Sequence, residues 1–155
     1  IFESFLKLYD NLEPLIIFYM STIYSDNLFI EQYFLNYAQA LDSILSYKYK
    51  DRKKYKHYLP DTLNKYKNIF KFSKDNIDVI VKDITLSRHY YSHRNLKQRN
   101  QAAIGIKLYK LGIIINILFI ILLLEELKFS NIEISNIIRK KFGNRIENDL
   151  NTLKK

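Results

Sequence analysis

Ile30-Glu31-Gln32-Tyr33-Phe34-Leu35-Asn36-Tyr37-Ala38-Gln39-Ala40-Leu41-Asp42-Ser43-Ile44-Leu45 is the stretch that decides the fold. Counted from Ile30, residues Ile30, Tyr33, Phe34, Tyr37, Leu41, Ile44 and Leu45 fall at offsets 0, 3, 4, 7, 11, 14 and 15. Such offsets return to one side of a 3.6-residue helix, so the spacing predicts a long amphipathic helix with its stripe against a core. Asp26, just upstream, is the expected cap.

The same period extends in both directions. Upstream, Pro14 follows Asn11-Leu12-Glu13, a placement that suits the first turn of a helix carrying Leu15, Phe18, Tyr19 and Thr22. Downstream, residues 48–60 are polar and basic and end at Pro60, which reads as a loop before a short helix from Asp61 to about Phe70. Ser73 is placed to cap a helix through Ile77, Ile80, Val81 and Ile84. Residues 98–128 read as one long helix continuing through Ile113–Leu124. Ser130 and Glu133 have capping-box spacing, and the short helix they open is expected to end at Phe142-Gly143, with Gly as C-cap. The expectation is an all-α bundle of about four to six helices, one domain over residues 1–155, with 129–155 a short C-terminal helix and tail.

Composition agrees. Of 155 residues, 48% are hydrophobic and 26% charged, a globular balance. Only three Gly and two Pro argue against turn-rich sandwiches and barrels, and the absence of Cys excludes disulfide scaffolds, zinc ribbons and thiol catalysis. No Gly-rich phosphate loop or Cys/His cluster is present, so no metal and no cofactor is expected. The chain opens on Ile1 without a signal-peptide pattern and is read as a fragment of a longer protein or a trimmed piece of one, and the absence of Cys fits a reducing compartment such as the cytoplasm. Leu111–Leu124 is apolar all round, but 14 residues span roughly 21 Å, short of a ~30 Å hydrocarbon core. A buried core helix is the expectation rather than a membrane span, with part of its surface left for a second subunit.

Charge is +9 overall and unevenly placed. Residues 1–47 carry −5, residues 48–74 carry +8, and residues 88–110 carry +6 with no acid at all. Two such blocks either attract a polyanion by counterion release or form a solvated lysine-rich surface.

The informative anomaly is Arg88. Taking Ile77 as zero and advancing about 100° per residue, Ile80, Val81, Ile84 and Tyr91 cluster within about 60° of it, and Arg88 falls at about +20°. A guanidinium on an apolar face needs a partner, because burying an unpaired charge costs several kcal/mol. Either a core acid supplies it, with Asp42 the candidate, or an anion binds there. His93 lies at about +160°, so Arg88 and His93 act together only if the helix ends or distorts, or if a second subunit supplies one of them. A histidine in a polar, basic, aromatic stretch suits proton transfer near neutral pH.

The string Ile84-Thr85-Leu86-Ser87-Arg88-His89-Tyr90-Tyr91-Ser92-His93 resembles the R-x4–6-H motif of HEPN domains, in the form carried by the ApeA-like branch of anti-phage defence proteins. Gln39-Ala40-Leu41-Asp42 resembles the Q-A-L-E of an earlier helix in that branch. His89 stands where the branch has Asn, and Asp42 where it has Glu. The resemblance implies a dimeric helical domain that cleaves RNA without metal, with both motifs in one cleft. His93 would move the proton and Arg88 would hold the scissile phosphate, leaving a 2′,3′-cyclic phosphate. It implies that His89, Arg94, Asn95 and Lys97 bind phosphate or set the imidazole. The 48–74 block, Lys53 and Lys54 included, would guide the RNA backbone, and Asp42 would give structural support. The partners implied are RNA, a second copy and a sensor region upstream in the same parent chain, with no membrane. Two other readings stay open: a non-catalytic HEPN-like module that dimerises or binds nucleic acid, and a plain helical interaction domain. The tyrosines interleaved in the basic block, Tyr47, Tyr49, Tyr55, Tyr58 and Tyr66, either stack on bases or simply pack.

Overall fold

Burial of the Ile30–Leu45 stripe organises the molecule. In the computed structural model, which describes residues 2–50, 55–94, 96–150 and 153, the stripe belongs to the second of seven α-helices. These are α1 (Phe2–Ile23), α2 (Ile30–Tyr49), α3 (Tyr55–Lys65), α4 (Lys67–Phe70), α5 (Lys74–His93), α6 (Gly105–Glu126) and α7 (Asn131–Asn148). A 3-10 turn, Leu96–Gln98, lies between α5 and α6, and the described residues contain no strand. The fold is all-α, as the periodicity requires.

The core pair is α2 against α6. Phe34, Ala38, Leu41, Ile44 and Leu45 of α2 are buried there, and α6 runs beside them with Gly112 close to the backbone of Phe34. α1 packs on α2, α5 on α2, α3 and α6, and α7 on α6. α6 is long and apolar enough to cross a membrane by length and composition, a test that a buried core helix also passes. Here its Leu111–Ile115, Ile117–Phe119, Ile121 and Leu122 are covered by the chain's own helices. The apolar surplus expected along 111–124 is therefore absent, and that stretch gives no reason for a second subunit. The exposed apolar side chains lie elsewhere, among them Ile23, Phe29, Ile104 and Ile106.

Several boundaries differ from the sequence reading. Ser130 and Glu133 form the expected capping box, and the expected cap Ser73 forms one as well, with Asn76 as a reciprocal partner that the sequence reading did not mark. Asp26 does not cap α2, whose N-cap is Phe29 without a side-chain bond. Pro14 and Pro60 both sit inside helices rather than at their starts. Each removes one backbone donor, and packing on both sides offsets that loss: Leu8, Leu12 and Tyr19 along α1, Leu59 and Leu63 along α3. The helix expected over 98–128 begins only at Gly105, where φ is +53° and the chain bends into α6. α7 runs through Gly143 to Asn148, so that glycine is interior and not a cap. Cations take the left-handed positions instead. Lys50, Lys71, Arg94 and Lys128 all have positive φ at helix C-termini, where a positive charge also meets the negative end of the helix dipole. After α6 the Lys128 N–H donates to the Glu125 carbonyl and the Phe129 N–H to the Leu124 carbonyl, a Schellman closure without glycine.

Candidate functional site at the end of helix α5

The last two turns of α5 carry the R-x4-H motif. Ser73 opens this helix, and Ile77, Ile80, Ile84, Ser87 and Tyr91 form its buried side. Arg88 leans from that side toward α2, where its Nη2 donates to Asp42 Oδ2 at 2.6 Å. The compensating acid is thus the one the helical geometry singles out. Both side chains remain about one-third exposed, at 35% and 32%. The pair sits at the lip of the core and not within it, and an ion pair this wet is worth about 0–1 kcal/mol.

α5 stays helical through His93, and Arg94 ends it in the left-handed conformation, its N–H donating to the Tyr90 carbonyl at 2.7 Å. Five residues at about 100° each place His93 roughly 140° around the axis from Arg88. His93 instead shares a face with His89, their rings 4.9 Å apart between centroids, both exposed. One chain therefore brings His89 and His93 together and Arg88 and Asp42 together, on separate sides of the same helix end.

The segment after α5 is held by side chains that the sequence reading did not single out. The Ala103 N–H donates to Ser87 Oγ at 2.9 Å, and the Tyr91 hydroxyl donates to the Ala103 carbonyl at 2.9 Å. These bonds take the backbone of Ala103 out of any helical ladder, which is why residues 99–104 are not part of α6. Ser87 lies about 80° from Ile77 on the apolar side, and a small polar residue at that angle was the legible signal. Burial pushes the Tyr91 phenol up, Glu31 and Tyr90 add to this, and Arg94 opposes it. Beside this strap is a cleft of about 350 Å³ lined by Tyr90, Tyr91, Arg94 and Arg99, with Phe29 and Glu31 from the α2 end. Arg94 and Arg99 are exposed and make no ion pair among the described residues. Arg99 was not singled out from sequence, although it lies in the acid-free block. Lys97 is exposed on the 3-10 turn. Asn95, Lys53 and Lys54 lie outside the described residues.

Four lysines elsewhere are matched by acids of the same chain. Lys48 bridges Glu125 and Glu126, Lys65 and the Tyr66 hydroxyl both donate to Glu125, Lys71 pairs with Glu147 at 3.0 Å, and Lys107 pairs with Asp83 at 2.6 Å. Tyr49 and Tyr58 stack on each other at 4.2 Å and Tyr66 is buried, whereas Tyr49 keeps 41% of its surface exposed. No group of three or more His, Cys, Asp or Glu with metal-site geometry occurs among the described residues.

Fold and site together define a helical domain with a histidine pair and an ion-paired arginine exposed at one helix end. The family model described as Apea-like HEPN matches residues 23–133, well over half of the chain, and the chain belongs to that family. The match spans α2 to α6 and so includes both motif blocks, Gln39–Asp42 and Ile84–His93. No curated protein and no solved structure matches the chain significantly.

Proposed function

We propose that the chain is the metal-independent endoribonuclease part of an anti-phage defence protein of the cytoplasm. The observation that carries this reading is the placement of Arg88, His89 and His93 on the last two turns of α5, open to solvent, in a chain of the Apea-like HEPN family. A phosphodiester cut by its own 2′-hydroxyl needs a base for that proton, an acid for the leaving 5′-oxygen and a cation for the phosphorane charge. His93 moves the proton, and Arg88 takes the phosphate. Asp42 holds the guanidinium in place until RNA arrives, and the arginine side chain stays about one-third exposed at the surface an RNA phosphate would approach. Arg94, Arg99 and Lys97 continue the positive track beyond the helix end.

The roughly 140° between Arg88 and His93 supports a second element of the proposal. Two copies meeting across the α5 ends bring one copy's histidines to the other's arginine, so the working unit is a homodimer. A sensor region elsewhere in the parent protein would restrain so toxic an activity. The competing reading, a non-catalytic HEPN-like module, draws on the Arg88–Asp42 pair itself, since an arginine already satisfied by its own fold needs no phosphate. Incubating the chain with single-stranded RNA in EDTA, with Arg88→Ala and His93→Ala beside it, separates the two. The proposal expects cleavage by the parent alone and a cyclic-phosphate product. RNA binding without cleavage selects the non-catalytic module.

A further inference from the structure

We propose that the cavity enclosed by α1, α2, α6 and α7 is a binding site for a small organic anion with an aromatic or otherwise apolar body. The cavity is about 460 Å³, within the range of roughly 300–1,000 Å³ usual for small-molecule sites. It is separate from the motif, because Arg88, His89, His93 and Arg94 take no part in lining it. Its walls are aromatic and aliphatic side chains, Phe34, Ile113, Ile120 and Phe142 among them.

Three polar features converge on this apolar space. Asn116 is the one polar side chain in the apolar run Leu111–Leu124 of α6, and burying an amide there is costly unless it is bonded. Its Oδ1 accepts from the Tyr19 hydroxyl at 2.5 Å, its Nδ2 makes no hydrogen bond among the described residues, and the residue is part of the cavity lining. Tyr37 is also part of the lining, and its hydroxyl makes no hydrogen bond among the described residues. Burial pushes that phenol up, and the charge of Arg145 pulls the other way, which places the guanidinium within electrostatic reach of it. Lys141 and Arg145 stand one turn apart on α7, both exposed and both lining the cavity, and neither makes an ion pair among the described residues. No carboxylate of the described residues lines the space. Two unpaired cations, two unused donors and aromatic walls complement an anionic head on an apolar body.

A phosphate on a flat base and a carboxylate on an aliphatic chain share this chemistry, and titration of the chain with the fluorescent aromatic sulfonate 8-anilinonaphthalene-1-sulfonate tests it. Saturable binding near one probe per chain is expected. The Lys141→Gln/Arg145→Gln double variant, both sites exposed and off the core, should weaken it at least about tenfold with an unchanged helical circular dichroism spectrum. Lys140→Gln, exposed on the same helix but outside the lining, should bind as the parent does. Displacement by nucleoside 5′-monophosphates but not nucleosides assigns the head to a phosphate. Displacement by medium-chain carboxylates but not the alcohols assigns it to a fatty or aryl acid. Absence of saturable binding, unchanged affinity in the double variant, or equal displacement by the neutral analogues would overturn the proposal. Each outcome is independent of RNA cleavage.

Discussion

Arg88 shows how one side chain can satisfy a fold and still serve chemistry. Its pair with Asp42 is one-third exposed on both sides, so Arg88→Ala is expected to cost no more than about 1 kcal/mol by urea denaturation. The same change should abolish RNA cleavage. A loss of several kcal/mol would instead assign the arginine to the core. Gly143 makes the complementary case. It lies inside α7 with nothing within 4 Å of a Cβ built there, so Gly143→Ala should stabilise by about 0.5–1 kcal/mol. Had it been the left-handed cap that its position near Phe142 suggested, the substitution would destabilise. The capping role is met by Lys50, Lys71, Arg94 and Lys128, which a rule that looks for glycine passes over.

At the scale of elements, Glu125 ties three helices together. Lys48 of α2, Lys65 at the end of α3 and the Tyr66 hydroxyl all donate to this one carboxylate of α6, which is only 10% exposed. Burial pushes its carboxyl up, but the hydrogen bonds from Lys48, Lys65 and Tyr66 outweigh that and hold it below its ordinary 4.5. A depressed carboxylate contributes stability that is fully present above the unfolded value and is lost as pH falls through the folded one. Glu125→Gln should therefore cost about 1–3 kcal/mol near neutrality and flatten the acid limb of stability against pH. An unaltered acid limb would show that the cluster contributes nothing. Lys48 has the opposite sign. Burial lowers it, its bonds to Glu125 and Glu126 raise it more, and its share persists below 10.5 and fades as pH climbs through the higher folded value. None of this knot was legible in sequence, because its members lie about 60 and 77 residues apart and only the packing of α2 on α6, with α3 on α2, brings them together. The stripe of α2, the cap at Ser73, the capping box at Ser130 and the Arg88–Asp42 pair were legible because each depends on spacing within one helix or on one charge out of place. The 98–104 strap was not, since helical propensity there yields to two side-chain bonds from α5.

For the molecule as a whole, the cations beside the end of α5 are among those that pairing within the chain leaves open to an anion. Lys48, Lys65, Lys71 and Lys107 are already engaged by acids, whereas Arg94 and Arg99 face the cleft without ion pairs among the described residues. RNA affinity should fall steeply with salt, and Arg94→Gln/Arg99→Gln should lower the slope of log affinity against log salt by about 1–2. An unchanged slope would move the RNA path elsewhere. The most direct test of the central claim is the single-turnover cleavage rate of single-stranded RNA in EDTA by the parent chain and by folded His93→Ala. Metal-free cleavage by the parent is expected, with a loss of roughly 100- to 10,000-fold in the variant at nearly unchanged RNA affinity, the size of a general acid–base contribution. Equal rates in the two proteins, or activity only with an added divalent ion, would contradict it.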